Sequence, residues 1–349
     1  STRTNTLFPY TTLFRSRRKV LLVKGGLSMN FPNRVALYEV GPREGFQSET
    51  TFISTDDKVH FVNELSKTGL QHIEVTSFVS PKWVPQMVDA EQVLANIKRH
   101  PGVIYRAAYL NVKGLERALA SDVTLDGSLV LSASDAFSKR NMNQSTQDMF
   151  EKLPQWIEAY QAAHIGVKQM GFMAAFGCNF EGYIELSHVI HLMDQVMKLA
   201  ESYGEQIQKV KLADTMGWAN PEQMKRTVCT IQDKWPHLAI HLHLHDTRGL
   251  GLANVYAALQ EGLSEFDTAI GGLGGCPFAA VKGAPGNIST EDVAFLCEQM
   301  GIETGLDLDA LVSCAKLAEK ITGRELPGHL SKGGTLTAVR PKPWKQVQG

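Results

Sequence analysis

His241-Leu242-His243-Leu244-His245-Asp246 alternates imidazole with leucine. Successive side chains of a β-strand point to opposite faces, so the three imidazoles share one face and the leucines the other. Imidazoles gathered on one face of a strand have the geometry of a metal site. A lone strand histidine is more often a satisfied core residue, so the reading needs support from elsewhere in the chain. About thirty residues on, Gly271-Gly272-Leu273-Gly274-Gly275-Cys276-Pro277 forms a glycine-rich loop that carries one thiol. Together the two stretches predict metal-assisted chemistry with a cysteine on a movable loop.

Outward from this strand, short apolar, β-branched runs alternate with longer helical patterns, the signature of parallel βα units. Candidate strands lie near 35–40, 71–76, 103–109, 128–132, 167–173, 210–214, 239–244 and 266–270. The histidine strand is the seventh of eight. Eight such units in about 300 residues predict an α/β fold, a TIM (β/α)8 barrel with additional C-terminal helices. Helix starts are marked by chemistry: Ser54 with Asp57 and Ser289 with Asp292 have capping-box spacing, and Asn220-Pro221 sets a cap before a first-turn proline.

The 349 residues are 43% apolar, enough for one large domain. No internal repeat or low-complexity linker interrupts 33–330, which reads as a single barrel domain. A formal net charge of −1 gives no global attraction for nucleic acid or an anionic membrane. No apolar run reaches the roughly 18 residues of a membrane span. Five cysteines, an odd number without paired metal spacing, suit a reducing compartment, so a cytoplasmic location is expected. The first 38 residues hold seven Lys or Arg and no acid, which implies the mitochondrial matrix if that segment is a genuine transit peptide. Residues 6–16 resemble a translated sequencing adaptor, and Met29 lies just before the first strand. Residues 1–28 are therefore read as a non-native or targeting extension, and 331–349 as a tail.

A TIM barrel carries its chemistry at the C-terminal ends of its strands. Arg43, Glu44 and Gln47 follow the first strand, Glu74 lies in the second, and Asp214 ends the sixth. His243 and His245 end the seventh, and Cys276 and Asn287 follow the eighth. Arg43 and Glu44 alone could be an exposed loop pair, which is common and weak. Glu74 is harder to dismiss, because a carboxylate on a barrel strand needs a partner. Asp214 could cap a helix, but Asn220 already fills that place. Cys276 alone would more often be a small buried hydrophobe. Lys113, Lys139 and Arg140 read more readily as solvated charge than as phosphate partners.

Four stretches resemble the 3-hydroxy-3-methylglutaryl-CoA lyase family, TIM-barrel metallolyases related to homocitrate and isopropylmalate synthases. They are Gly41-Pro42-Arg43-Glu44-Gly45-Phe46-Gln47, the run from Glu74-Val75-Thr76-Ser77 to Pro85-Gln86-Met87, His243-Leu244-His245-Asp246-Thr247, and Gly272-Leu273-Gly274-Gly275-Cys276-Pro277-Phe278. The motifs recur in the family's order, and the likeness spans about 35–322. It implies a lyase that uses Mg²⁺ or Mn²⁺ to split 3-hydroxy-3-methylglutaryl-CoA into acetyl-CoA and acetoacetate by retro-Claisen chemistry. That reaction belongs to leucine degradation and ketone body metabolism, and the resemblance also implies an acyl-CoA substrate and a homodimer or larger homo-oligomer.

By the same resemblance Glu44, His243, His245 and Asn287 are the metal ligands, an oxygen- and nitrogen-rich set that suits such cations, and His241 is structural. Arg43 stabilises the enolate oxygen, Cys276 protonates the enolate carbon, and Asp214, His243 and Glu74 complete the catalytic group, with the base among them. Gln47, Ser77, Gly274 and Gly275 are implied cofactor-binding positions. Three departures stand out from the family pattern. Glu44 replaces the usual aspartate, Phe46 replaces a leucine and is expected to narrow the acyl pocket, and the loop through Ala279-Ala280-Val281-Lys282 is two residues longer. A lyase for citramalyl-CoA or another 3-hydroxyacyl-CoA with a distal carboxylate would keep every one of these groups. A Claisen-condensing acyltransferase would be expected to carry extra C-terminal regions. A non-catalytic metal-binding protein would need neither the thiol nor the arginine.

Overall fold

The computed structural model describes residues 31–275 and 285–339. Its eight main strands are β1 (Ala36–Glu39), β2 (His72–Ser77), β3 (Ile104–Ala108), β4 (Gly127–Ser132), β5 (Val167–Met173), β6 (Lys209–Asp214), β7 (Ala239–Leu244) and β8 (Glu265–Thr268). They form one parallel sheet in the order β3-β2-β1-β8-β7-β6-β5-β4. Each strand hands the chain to at least one helix, among them Thr55–Leu65 after β1, Leu186–Ser202 after β5, Pro221–Lys234 after β6 and Thr290–Gln299 after β8. Leu308–Thr322 and the short Leu330–Gly333 turn supply the expected extra C-terminal helices. The TIM-barrel expectation is borne out. At the seam between β3 and β4 the described residues form no ladder; instead Thr124 N–H donates to the Tyr105 carbonyl at 2.8 Å.

The alternation of side chains builds two compartments. In β7, Ile240, Leu242 and Leu244 are buried against the helix layer, while His241 and His243 turn into the barrel. Met170 and Phe172 of β5 and Val210 and Leu212 of β6 face outward in the same way and are almost fully buried. Each such side chain contributes about 1.5–3 kcal/mol when buried, so Leu242→Ala would cost about 2–5 kcal/mol and loosen the strand that carries the histidines. Helices begin where the sequence marks them: Ser54 accepts from Asp57 N–H, Asn220 from Gln223 N–H and Ser289 from Asp292 N–H. The eighth strand is shorter than expected. It ends at Thr268, and the chain turns tightly through Ile270–Gly272.

Among the described residues no helix is long and apolar enough to cross a membrane.

Candidate active site

Every element that supplies the site does so at the C-terminal end of the sheet. Directly after β1, residues Gly41–Gly45 make a wide helical turn in which Phe46 N–H reaches the Gly41 carbonyl. Such widened turns occur often at functional sites, and this one presents Arg43 and Glu44 to the barrel mouth. Glu39 fixes the start of the turn: its Oε1 accepts from Gly41 N–H at 2.8 Å and from Ile270 N–H at 3.0 Å. Asn287 arrives by another device. Ile288 N–H donates to the Leu244 carbonyl, and Ala269 N–H donates to the Ile288 carbonyl, so the segment threads between the ends of β7 and β8. Gly274 lies against Asn287; a Cβ there would come within 2.7 Å of Asn287 Nδ2, and its φ of +89° suits glycine.

Glu44 Oε1 stands 3.2 Å from His245 Nε2 and 3.4 Å from His243 Nε2, and the two imidazole nitrogens are 3.1 Å apart. These three are the group among the described residues whose ligand atoms lie close enough together to hold a metal ion. Asn287 Nδ2 donates to Glu44 Oε1 and to the Leu273 carbonyl, while its Oδ1 is buried with no hydrogen-bond partner. An amide oxygen left bare beside a carboxylate and two imidazoles completes a donor set that fits a divalent cation. The extra methylene of Glu44 does not keep its carboxylate from the histidines.

The surroundings of these groups favour positive charge at their centre. Burial opposes a charged His243, but Glu44 and Asp267 outweigh it and push its pKa up to about 10. Burial would raise Glu44, but His243 and Arg43 hold it well below the ordinary carboxylate value. Asp267 was not anticipated from the sequence. Its Oδ2 meets His243 Nδ1 at 3.0 Å and its Oδ1 meets His241 Nε2 at 2.7 Å. Lys211 Nζ, 2.8 Å away, completes its shell. A carboxylate on the far nitrogen of a ligating histidine fixes ring orientation and raises basicity. The signal was present: Glu265 and Asp267 alternate along β8, as Lys209 and Lys211 do along β6, placing charge on inward faces. His241 lies in this lower ionic layer, bound to Glu265 and Asp267, as its structural reading requires.

Arg43 grips Glu74 with two bonds of 3.1 Å and contacts Glu44 Oε2 at 3.2 Å. Burial works against the guanidinium charge, but Glu74 and Glu44 prevail and raise its pKa, so it is a permanent cation. Arg43, Glu44, Glu74, His243, His245, Gln47 and Gly275 all line one cavity of about 1130 Å³. Asp214 is not brought there. It is fully buried, with Oδ1 accepting from Trp218 N–H at 2.7 Å and Oδ2 from Ala219 N–H at 3.1 Å, which suits shaping the turn after β6. Ser77 is likewise buried away from the cavity wall. Cys276 lies outside the described residues. Phe46 does not narrow the pocket: it is buried in the core, 5.0 Å ring to ring from Phe61. Of the surface cations, Lys113 reaches the cavity rim, whereas Lys139 pairs with Asp135 and Arg140 lies over the Phe180 ring.

A family model described as HMGL-like matches residues 34–318. The chain belongs to the HMGL-like family. Within it, the chain is 40% identical over 301 residues to a hydroxymethylglutaryl-CoA lyase of Bacillus subtilis, covering 86% of this chain and 97% of that one. It is 39% identical to a 3-hydroxy-3-isohexenylglutaryl-CoA/hydroxymethylglutaryl-CoA lyase of Pseudomonas aeruginosa, covering 87% of this chain and all of the relative. Among solved structures, an HMG-CoA lyase of Acinetobacter baumannii in complex with coenzyme A and 3-methylmalate superposes with a TM-score of 0.79 at 40% identity. That match covers 89% of this HMGL-like chain and 98% of the other.

Proposed function

We propose that this protein is a divalent-metal-dependent lyase that splits 3-hydroxy-3-methylglutaryl-CoA into acetyl-CoA and acetoacetate. The observation that carries the reading is the convergence of Glu44, His243 and His245 beside the Arg43 guanidinium on one cavity wall. Glu44, His243, His245 and Asn287 would hold the ion, whose charge lowers the pKa of the substrate hydroxyl. Mg²⁺ and Mn²⁺ both suit this oxygen- and nitrogen-donor set.

The chain's own groups supply the rest. Proton removal from the hydroxyl falls to Glu74, because it lines the cavity, whereas Asp214 does not and His243 has Nδ1 on Asp267 and Nε2 committed to the ion. As the C2–C3 bond breaks, negative charge grows on the thioester oxygen, and Arg43 is a preorganised cation for it, held in place by Glu74. Asp267 keeps His243 turned so that Nε2 faces the centre. Cys276, the next residue after Gly274 and Gly275 in the sequence, is assigned the protonation of the enolate carbon. Gln47 and Gly275 belong to the substrate-binding wall, and Lys113 at the rim suits the anionic end of an acyl-CoA.

A discontinuous mass assay with Mg²⁺ or Mn²⁺ tests this, offering 3-hydroxy-3-methylglutaryl-CoA and citramalyl-CoA separately. Acetoacetate from the first is the expected result. Pyruvate from the second, with no turnover of the first, would move the assignment to a sister lyase. Metal binding with no cleavage of any acyl-CoA would leave a non-catalytic metal protein.

A further inference from the structure

Past the helix Leu308–Thr322 the chain runs back against the turn that follows β8. Gly323, with a φ of +69°, ends the helix in the left-handed conformation, and residues 324–330 then form a strap. Both ends of the strap are tied down. Arg324 holds the Glu49 carboxylate through Nε at 3.1 Å and Nη2 at 2.6 Å. The Asp292 carboxylate accepts from His329 N–H at 2.8 Å and from Leu330 N–H at 2.7 Å. Between these anchors Leu326 N–H donates to Glu319 Oε1 at 2.8 Å, and Leu326 and Gly328 are buried.

What the strap covers is the pair Gly271-Gly272. Both backbone groups of Gly271 are held: its N–H donates to Glu291 Oε2 and its carbonyl accepts from Gly328 N–H, each at 2.9 Å. The strap comes closer than a side chain would permit. A Cβ on Gly271 would stand 2.5 Å from Leu326 Cδ1, and one on Gly272 would stand 2.9 Å from Pro327 Cγ. A Cβ on Gly328 would fall 2.3 Å from Glu291 Oε1 and 3.1 Å from Gly271 Cα. Contacts this close restrain two glycines whose own backbone freedom would not. The other side of the same turn faces Asn287. A Cβ on Gly272 would lie 3.3 Å from the Asn287 carbonyl, and the Leu273 carbonyl accepts from Asn287 Nδ2 at 3.0 Å. With Nδ2 spent on Leu273 and Glu44, the direction of the bare Oδ1 follows from where Leu273 lies.

We infer that the strap, through Pro327 and Gly328, is a positioning element of the metal centre: it presses Gly271-Gly272 into place, so that the Leu273 carbonyl holds the Asn287 side-chain oxygen among the ligands. This rests on the ligand set proposed above and extends it to residues that touch neither ion nor substrate. Neither Pro327 nor Gly328 lines the cavity, so their influence on the centre passes through the turn. Leu273 gives that influence a second target. A Cβ on Gly45, the residue after Glu44, would come within 2.7 Å of Leu273 Cβ, so the turn also backs the segment that presents the carboxylate ligand.

The test uses two variants of opposite sense in the full chain. Gly328→Ala adds a methyl where Glu291 and Gly271 leave no room, whereas Pro327→Gly lifts the ring from Gly272 and adds no clash, so misfolding of one does not decide the matter. Mn²⁺ is titrated into the wild type, each variant, Asn287→Ala, and Asn287→Ala combined with Pro327→Gly, with free Mn²⁺ read by its paramagnetic signal. Thermal unfolding of each metal-free protein runs alongside. Each strap variant should raise the Mn²⁺ Kd about 10-fold, and Asn287→Ala at least as much. The combined variant should bind within about twofold of Asn287→Ala alone, because the strap then has no amide left to hold. A merely structural strap would lower Tm while leaving affinity unchanged, or would weaken it by the same factor with and without Asn287; either result overturns the inference and leaves the reaction standing. Mn²⁺ binding that Asn287→Ala does not alter removes the fourth ligand, and the inference with it. A wild type that binds no Mn²⁺ overturns the inference and the proposed metal dependence together.

Discussion

At the scale of single residues, the candidate centre is held by second partners as much as by its ligands. Asp267 lines the cavity floor, where it orients His243 and balances Lys211. Asp267→Asn should therefore weaken Mn²⁺ binding about 10–100-fold, read by the paramagnetic signal of free Mn²⁺, with little change in fold. An unchanged affinity would reduce Asp267 to a structural counterion. Arg43 faces a different demand, because its charge is wanted only as the enolate forms. Arg43→Met should lower kcat about 10²–10³-fold while leaving KM within a few-fold. A change confined to KM would make it a binding group instead. Cys276→Ala is expected to fall on kcat in the same way, since its proton is delivered after bond cleavage.

At the scale of elements, two buried carboxyls tie the arms of the site to the sheet. Glu39 accepts from Gly41, Ile270 and Thr290, and Glu291 accepts from Gly271 N–H at 2.9 Å. Burial outweighs these bonds and pushes Glu39 up to about 7 and Glu291 up to about 8, above the ordinary value of 4.5. A folded-state pKa above the unfolded one gives stability that is fully present below about pH 4.5 and is lost as pH rises through 7 and 8. Urea unfolding should thus show roughly 3 kcal/mol less stability from Glu39 alone at pH 9 than at pH 4.5. Glu39→Gln, which keeps the shape and stays neutral, should flatten that part of the slope; an unaltered slope would refute the assignment. These ties also mark the limit of the sequence. The eight strands were legible because β-branched runs carry a local periodicity, and a metal reading of the histidine pair because HxH and the strand-end rule converge, whereas Glu44 and Asn287 were named as ligands only through the family resemblance. Glu39 and Asp267 were passed over because their roles depend on partners far along the chain. Phe46 misled because its outward direction follows from the widened helical turn after β1, which composition does not announce.

At the scale of the whole molecule, the sheet closes where its first and last strands pair, and the candidate centre sits over that junction. Saturating Mn²⁺ at about 100 Kd should add about 2.7 kcal/mol and raise Tm by roughly 4 °C, whereas His245→Ala should show no such gain. A gain of equal size in both would place the ion elsewhere. The same junction has a consequence for synthesis. Glu44 and Asn287, in contact at 3.3 Å, are separated by 243 positions, and His245 lies between them in the chain. A ribosome adds about 5–20 residues per second, so the first arm of the pocket waits many seconds for the last. A chain broken off before Asn287 carries neither the closing segment nor the amide oxygen beside the histidines. Truncated products are thereby born inert, and the capacity to break carbon–carbon bonds is released only by a polypeptide that has been read nearly to its end.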